Sequence, residues 1–185
     1  MKRFAALTVI ALASGLAFAS DLAFAETTSE KLGVNSVLGI APTTQDFVAE
    51  AAHSGNFEIK SSQLAEKRGD QATKTFAAKM ITDHTKLNSE LKDLVQSKHI
   101  NVTIPDGVSS SQQAMLDKLN TLKGVDFDSR FRDDQISGHK EAVSLFERYA
   151  KGGDNADLKT WADHTIALLK EHLQMAEGLA PHAEK

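Results

Sequence analysis

The sequence predicts an all-α protein: a four-helix bundle of two antiparallel hairpins, with a long crossover that carries a short extra helix. Three observations predict it. Apolar residues recur at three- and four-residue steps through four long segments, and no segment longer than a few residues alternates with period two. Glycine-bearing stops at Gly69 and Gly152-Gly153 divide the segments into two pairs. Composition agrees, with 185 residues, 41% hydrophobic, 25% charged and no cysteine, a profile that excludes collagen-like, disulfide-scaffold and disordered classes. A formal charge of −4 leaves no basic excess to neutralise phosphates, so no nucleic-acid partner is expected.

The chain opens with a basic Met1-Lys2-Arg3, runs apolar from Phe4 to Ala19, and offers small-residue exits at Ala17-Phe18-Ala19 and Ala23-Phe24-Ala25. Those are the three parts of a secretory signal peptide, expected over residues 1–25 with cleavage after Ala25 and Ala19 as the second choice. A bilayer-spanning helix needs about 20 apolar residues, and Ser20-Asp21 cuts this run short. Without residues 1–25 the net charge is −5, and no integral membrane segment is left. The expected destination is the periplasm. Residues 26–42 carry Thr, Ser, Gly and Pro without a sustained period, so 26–43 is expected to be a flexible leader and 44–180 the bundle domain.

Pro42-Thr43-Thr44, with Asp46 three residues after Thr43, starts the first helix. Phe47, Ala51, Ser54, Glu58, Ser62 and Ala65 form its stripe. Gly69 ends it, and Asp70 is placed to cap the second helix, whose stripe is Ala77, Met80, His84, Leu87, Leu91 and Leu94. Between about 98 and 110 the period vanishes at Pro105-Asp106-Gly107. Ser109 with Gln112, or Ser110 with Gln113, opens a short helix through Met115, Leu116 and Leu119, expected to close at Gly124. The third long helix presents Phe127, Phe131, Gly138, Ala142, Leu145 and Tyr149; the fourth presents Leu158, Trp161, Thr165, Leu168, His172, Met175 and Leu179 before Pro181.

Lys74-Thr75-Phe76-Ala77 is echoed by Lys159-Thr160-Trp161-Ala162, and Ser54-Gly55-x-x-Glu58 by Ser137-Gly138-x-x-Glu141, as in a duplicated hairpin. Helices of about 24 residues are roughly 36 Å long. The segment from His99 to Gly124 can run that length, since an extended chain covers about 3.3 Å per residue. The second and third long helices are then parallel, which is the ferritin-like form of the bundle.

Four chemically active side chains fall on or beside the apolar stripes: Glu58, His84, His139 and His172, one from each long helix. Counting outward from the tight turns sets the first three near mid-bundle and His172 about one turn further, with His164 as its substitute. Imidazoles and a carboxylate suit one transition-metal ion, and bundle interiors house such sites. The same residues also make a buried polar network without any cofactor, or a pH-responsive packing layer. All three readings stay open at this point. A di-iron centre is not expected: it needs Glu-x-x-His on two helices, and the one such motif is Glu50-Ala51-Ala52-His53 on the first. Asp83-His84-Thr85 recurs as Asp163-His164-Thr165, but out of register with the repeat, which reads as chance. No cysteine nucleophile, nucleophile elbow, phosphate loop or dinucleotide glycine pattern occurs, so no catalytic residue is expected.

Phe47-Val48-x-x-Ala51 with Gly55-x-x-Glu58, Phe76-Ala77-x-x-Met80-x-x-Asp83-His84, Met115-Leu116-x-x-Leu119, Phe127-Asp128, His139 followed by Leu145-Phe146-Glu147, and Leu169-x-x-His172 resemble an exported bacterial ferritin-like family. That family is known as a domain of unknown function and is often labelled an outer-membrane protein. The resemblance implies a secreted helical bundle with no established activity, substrate or cofactor. Relatives often have Asp before the third-helix His, where this chain has Gly138, and Leu-Pro where it has Ile166-Ala167. The outer-membrane label conflicts with the pattern, because a barrel needs many alternating strands of about ten residues. The expectation is an exported, soluble binding or envelope-associated module rather than an enzyme. The alternatives are a mononuclear redox or metal-storage protein, and an assembly module that forms homodimers through its helix faces.

Overall fold

The computed structural model describes residues 36 and 38–179; the expected signal peptide, most of the leader and residue 180 lie outside them. The domain is an all-α bundle, as the periodicity predicts. Its helices are α1 (Thr44–Arg68), α2 (Gln71–Ser97), α3 (Ser110–Thr121), α4 (Gly124–Gly152) and α5 (Ala156–Glu177). No helix among the described residues is long and apolar enough to cross a membrane.

The helix starts are fixed by short side chains that accept from orphan N–H groups. Thr43 Oγ1 accepts from Asp46 N at 3.1 Å and Asp70 Oδ1 from Thr73 N at 2.7 Å, while Ser109 and Gln112 form a reciprocal capping box. Asn155 caps α5 by accepting from Leu158 N at 3.0 Å. The end of α3 differs from expectation: it stops at Thr121, and Gly124 instead opens α4 with φ +54°, a conformation glycine adopts without a Cβ clash.

Two apolar clusters fill the bundle. At one end the N-terminal half of α1 (Phe47, Val48, Ala51, Ala52) meets the C-terminal parts of α2 (Leu91, Val95) and α4 (Leu145, Phe146, Tyr149) and the start of α5 (Leu158, Ala162). At the other end Ala65, Phe76, Ala77, Met80, Phe127, Phe131 and Ala176 pack with Leu119 of α3. This end-to-end sorting makes α2 antiparallel to α1, α4 antiparallel to both α1 and α5, and α2 parallel to α4. The crossover from α2 to α4 therefore travels the bundle's length. It is tied to α1 by His53 Nδ1 against Gly107 O at 2.9 Å and by Arg68 donating to Asn120 O at 2.8 Å. The Glu-x-x-His motif thus ends in a loop clasp.

Between the two clusters every long helix contributes polar residues. Glu58, Ser61 and Ser62 come from α1, His84 from α2, Asp134, Gln135 and His139 from α4, and Thr165 and His172 from α5. All are buried. This middle layer holds the predicted site residues.

Candidate metal centre

His84, His139 and His172 converge from α2, α4 and α5, each offering one ring nitrogen, with all three nitrogens within 4.8 Å of one another. Their ring centroids are 5.3–5.6 Å apart and the rings are tilted or edge-on, so they do not stack. The side chains are essentially sealed from solvent, at 3%, 1% and 0% exposure.

Hydrogen bonds at the ring edges decide which nitrogens are available. His139 Nδ1 lies 2.9 Å from Gln135 O, a carbonyl that can only accept, so Nδ1 carries the proton and Nε2 holds a lone pair. His172 Nε2 lies 2.8 Å from Asp83 Oδ2, so Nε2–H donates to the carboxylate and Nδ1 holds the lone pair. Both of those free nitrogens, and Nε2 of His84, are buried without a hydrogen-bond partner. A carbonyl or carboxylate behind the ring and a bare nitrogen in front is the arrangement in which histidines bind metal.

Electrostatics favour the neutral form of His84 and His172. Burial pushes the His84 imidazolium well below its ordinary range, helped by the neighbouring His139 and His172. Burial also lowers His172, against an opposing pull from Asp83. For Asp83 burial acts upward, but bonds to Lys79 and His172 outweigh it and hold the carboxyl below its ordinary value. Lys79 Nζ sits 3.0 Å from Asp83 and 3.4 Å from Glu171, tethering Asp83 at the α2–α5 surface.

Three of the predicted residues therefore meet, and two stand apart. Glu58 Oε1 is 3.9 Å from His139 Nδ1, beyond hydrogen-bond reach and on the ring edge away from the free nitrogen. Burial raises the Glu58 carboxyl above its ordinary range, more than His139 and Gln135 lower it. His164 is exposed and lines a surface cleft of about 480 Å³ between α2 and α5 with Glu90, Asp93 and Trp161. His172 needs no substitute: it stands level with the other two rings. The missed residue is Asp83. Its sequence signal was the Asp83-His84 pair, and its partner lies 89 residues away on another hairpin. Gly138, which stands where the resemblance led one to expect Asp, has a structural use. A Cβ there would come within 3.1 Å of Glu58 Oε1, so the glycine leaves room for that carboxyl.

Residues 29–179 match a family model described as Domain of unknown function (DUF4142). The chain belongs to that family. The description names neither a ferritin nor an outer-membrane protein. Among curated proteins none matches. A solved structure, CopM in the Cu(II)-bound form, is similar with a TM-score of 0.62 and 20% identity, covering 75% of this chain and 96% of that one. At that identity the likeness is one of fold. This chain and CopM thus share a helical-bundle fold.

Proposed function

We propose that this protein is an exported metal-binding module that holds one copper ion between His84, His139 and His172. The observation that carries the reading is the convergence of three buried histidines, each able to offer a ring nitrogen within 4.8 Å of the others' and each keeping one buried nitrogen without a hydrogen-bond partner. A layer kept only for packing pairs its polar atoms, since each unsatisfied buried group costs about 1–3 kcal/mol. Three such nitrogens on converging rings are what a shared cation would explain. Three imidazoles suit copper, zinc, nickel or iron, and divalent copper is the most tightly held of the series. The fold likeness to a protein solved with Cu(II) favours copper among them.

Bound copper would supply a Lewis-acidic, redox-capable centre. The chain's own residues do the rest. Asp83 and Gln135 O orient two rings, Lys79 steadies Asp83, and the apolar clusters above and below exclude water. Glu58 and His164 lie outside the ligand set. The basic-apolar-small pattern of residues 1–25 supports export. No catalytic motif accompanies the site, which favours binding or storage over catalysis.

The test is a Cu(II) titration of purified protein followed by calorimetry and electron paramagnetic resonance. The expected result is one equivalent per chain with nitrogen hyperfine structure, abolished by His84→Ala and retained by His164→Ala. Absence of stoichiometric binding, or its survival when all three triad histidines are Ala, would overturn the proposal.

A further inference from the structure

A second feature of the middle layer faces the opposite side of the bundle from Asp83. Between α1, α3 and α4 lies a cleft of about 610 Å³, a size typical of small-molecule sites. Glu58, 1% exposed, lines it, and its Oε2 has no hydrogen-bond partner. Gly138 lies in the wall beside that carboxyl. Phe57, Met115 and Leu145 supply apolar wall, while serines 109–111 and Ser137 place hydroxyls around it.

We propose that this cleft is a ligand site separate from the histidine triad, taking a small aliphatic amine whose ammonium group donates to Glu58 Oε2. Three considerations select that class. Glu58 Oε2 is buried without a hydrogen-bond partner, and an ammonium group would supply both that hydrogen bond and opposite charge. Among the described residues that line the cleft, carboxylates outnumber cations, with Glu50, Glu58 and Glu141 beside Arg148, so this lining favours positive ligands over anions. The apolar wall accommodates methylene groups, which a bare metal ion would leave unused. Among the described residues the triad is the one group of three or more metal-ligating side chains that could hold an ion, so Glu58 lacks the companions a metal requires.

The experiment titrates the purified protein, metal-free and copper-loaded, with 1,4-diaminobutane, using butane-1,4-diol and succinate as length-matched controls. Calorimetry gives affinity, and amide shifts in the NMR spectrum locate the bound probe. Saturable diamine binding that perturbs residues of α1, α3 and α4 is expected, weakened at least tenfold by Glu58→Gln. Gly138→Ala is expected to weaken it as well, by crowding the carboxyl. Copper stoichiometry and the circular-dichroism melting profile of Glu58→Gln serve as controls for the triad and the fold. No diamine binding, equal binding by wild type and Glu58→Gln, or diol binding as tight as diamine binding would each overturn the proposal without touching the copper reading.

Discussion

The two apolar ends of the bundle and the polar layer between them obey different rules. At the ends, shape and chemistry are matched. Phe47 stacks on Tyr149 at 3.9 Å and meets Phe146 edge-on at 5.1 Å, and Phe127 stacks on Phe131 at 6.2 Å. In the middle, Glu58, Ser62, His84, Gln135, His139 and His172 each keep a buried polar atom without a partner. The ends are what makes the chain fold. Unpartnered buried polar atoms cost stability, and a layer that keeps them in a ligand-ready geometry is where function is expected to reside.

Substitutions at equal depth in the two regions should therefore behave oppositely. Phe131→Ala opens a hole in a fully buried cluster and should lower stability by about 3–5 kcal/mol in urea denaturation. His84→Asp should cost about as much, because it buries a carboxylate among rings with no cation at hand. His84→Leu, at 3% exposure, should change metal-free stability by less than about 1.5 kcal/mol, or raise it, since it removes an unpartnered nitrogen at little change in volume. If Leu at 84 destabilises the metal-free protein as much as Ala at 131, the middle layer is a structural network and the contrast fails.

Much of the fold was legible because it is written in local spacing. The caps at Thr43, Asp70 and Ser109 each depend on a residue three positions on, and the glycine stops are equally local. Longer-range features were read less well. On α5 the larger side chains Trp161, Leu168 and Met175 suggested the buried face, yet Ala162, Leu169 and Ala176 occupy it. The wider apolar arc let size outweigh phase. The height of His172 was misjudged because counting began at Gly152-Gly153, whereas α5 begins only at Ala156. Three extra residues amount to about 4.5 Å, nearly a full turn. Asp83 was beyond reach for a different reason. Its contact to His172 joins two hairpins, and no spacing rule within one helix predicts such a partner.

Asp83 allows a finer distinction within the middle layer itself. Asp83→Asn keeps the shape but replaces a charged acceptor behind His172 with a neutral amide. Loss of such a supporting carboxylate typically costs 10–100-fold in metal affinity. The same change should leave urea midpoints of the metal-free protein within about 1 kcal/mol, because Asp83 is itself partly exposed. Competition titration against a copper chelator reads the first effect and denaturation the second. A large stability loss with unchanged affinity would make Asp83 a packing residue instead.

The pH dependence of the metal-free protein separates the two sides of the layer. His84 and His172 have folded values below the ordinary 6.5, so unfolding takes up protons. Their contribution is fully present above pH 6.5 and is lost as the pH falls from there toward the lowered folded values. Glu58 has the reverse sign. Its folded value is above the ordinary 4.5, so its contribution is present below pH 4.5 and is lost as the pH rises through the raised value. Urea midpoints between pH 4 and 8 should show His84→Leu flattening the acid-side loss and Glu58→Gln flattening the opposing trend.

The smallest effect belongs to the histidine that shares its sequence surroundings with His84. Asp163-His164-Thr165 copies Asp83-His84-Thr85 residue for residue, yet His164 is exposed where His84 is buried. An exposed ring gains little from its neighbours, so His164→Ala should shift stability by no more than about 0.5 kcal/mol. It should also leave copper stoichiometry at one per chain and the spectroscopic signature unchanged. That pairing isolates burial as the variable: identical tripeptides on two helices, one turned into the bundle and one turned out. A fall in copper affinity in His164→Ala comparable to that in His84→Ala would mean that the surface cleft with Glu90 and Asp93 competes for the ion, and that the interior triad is not its principal holder.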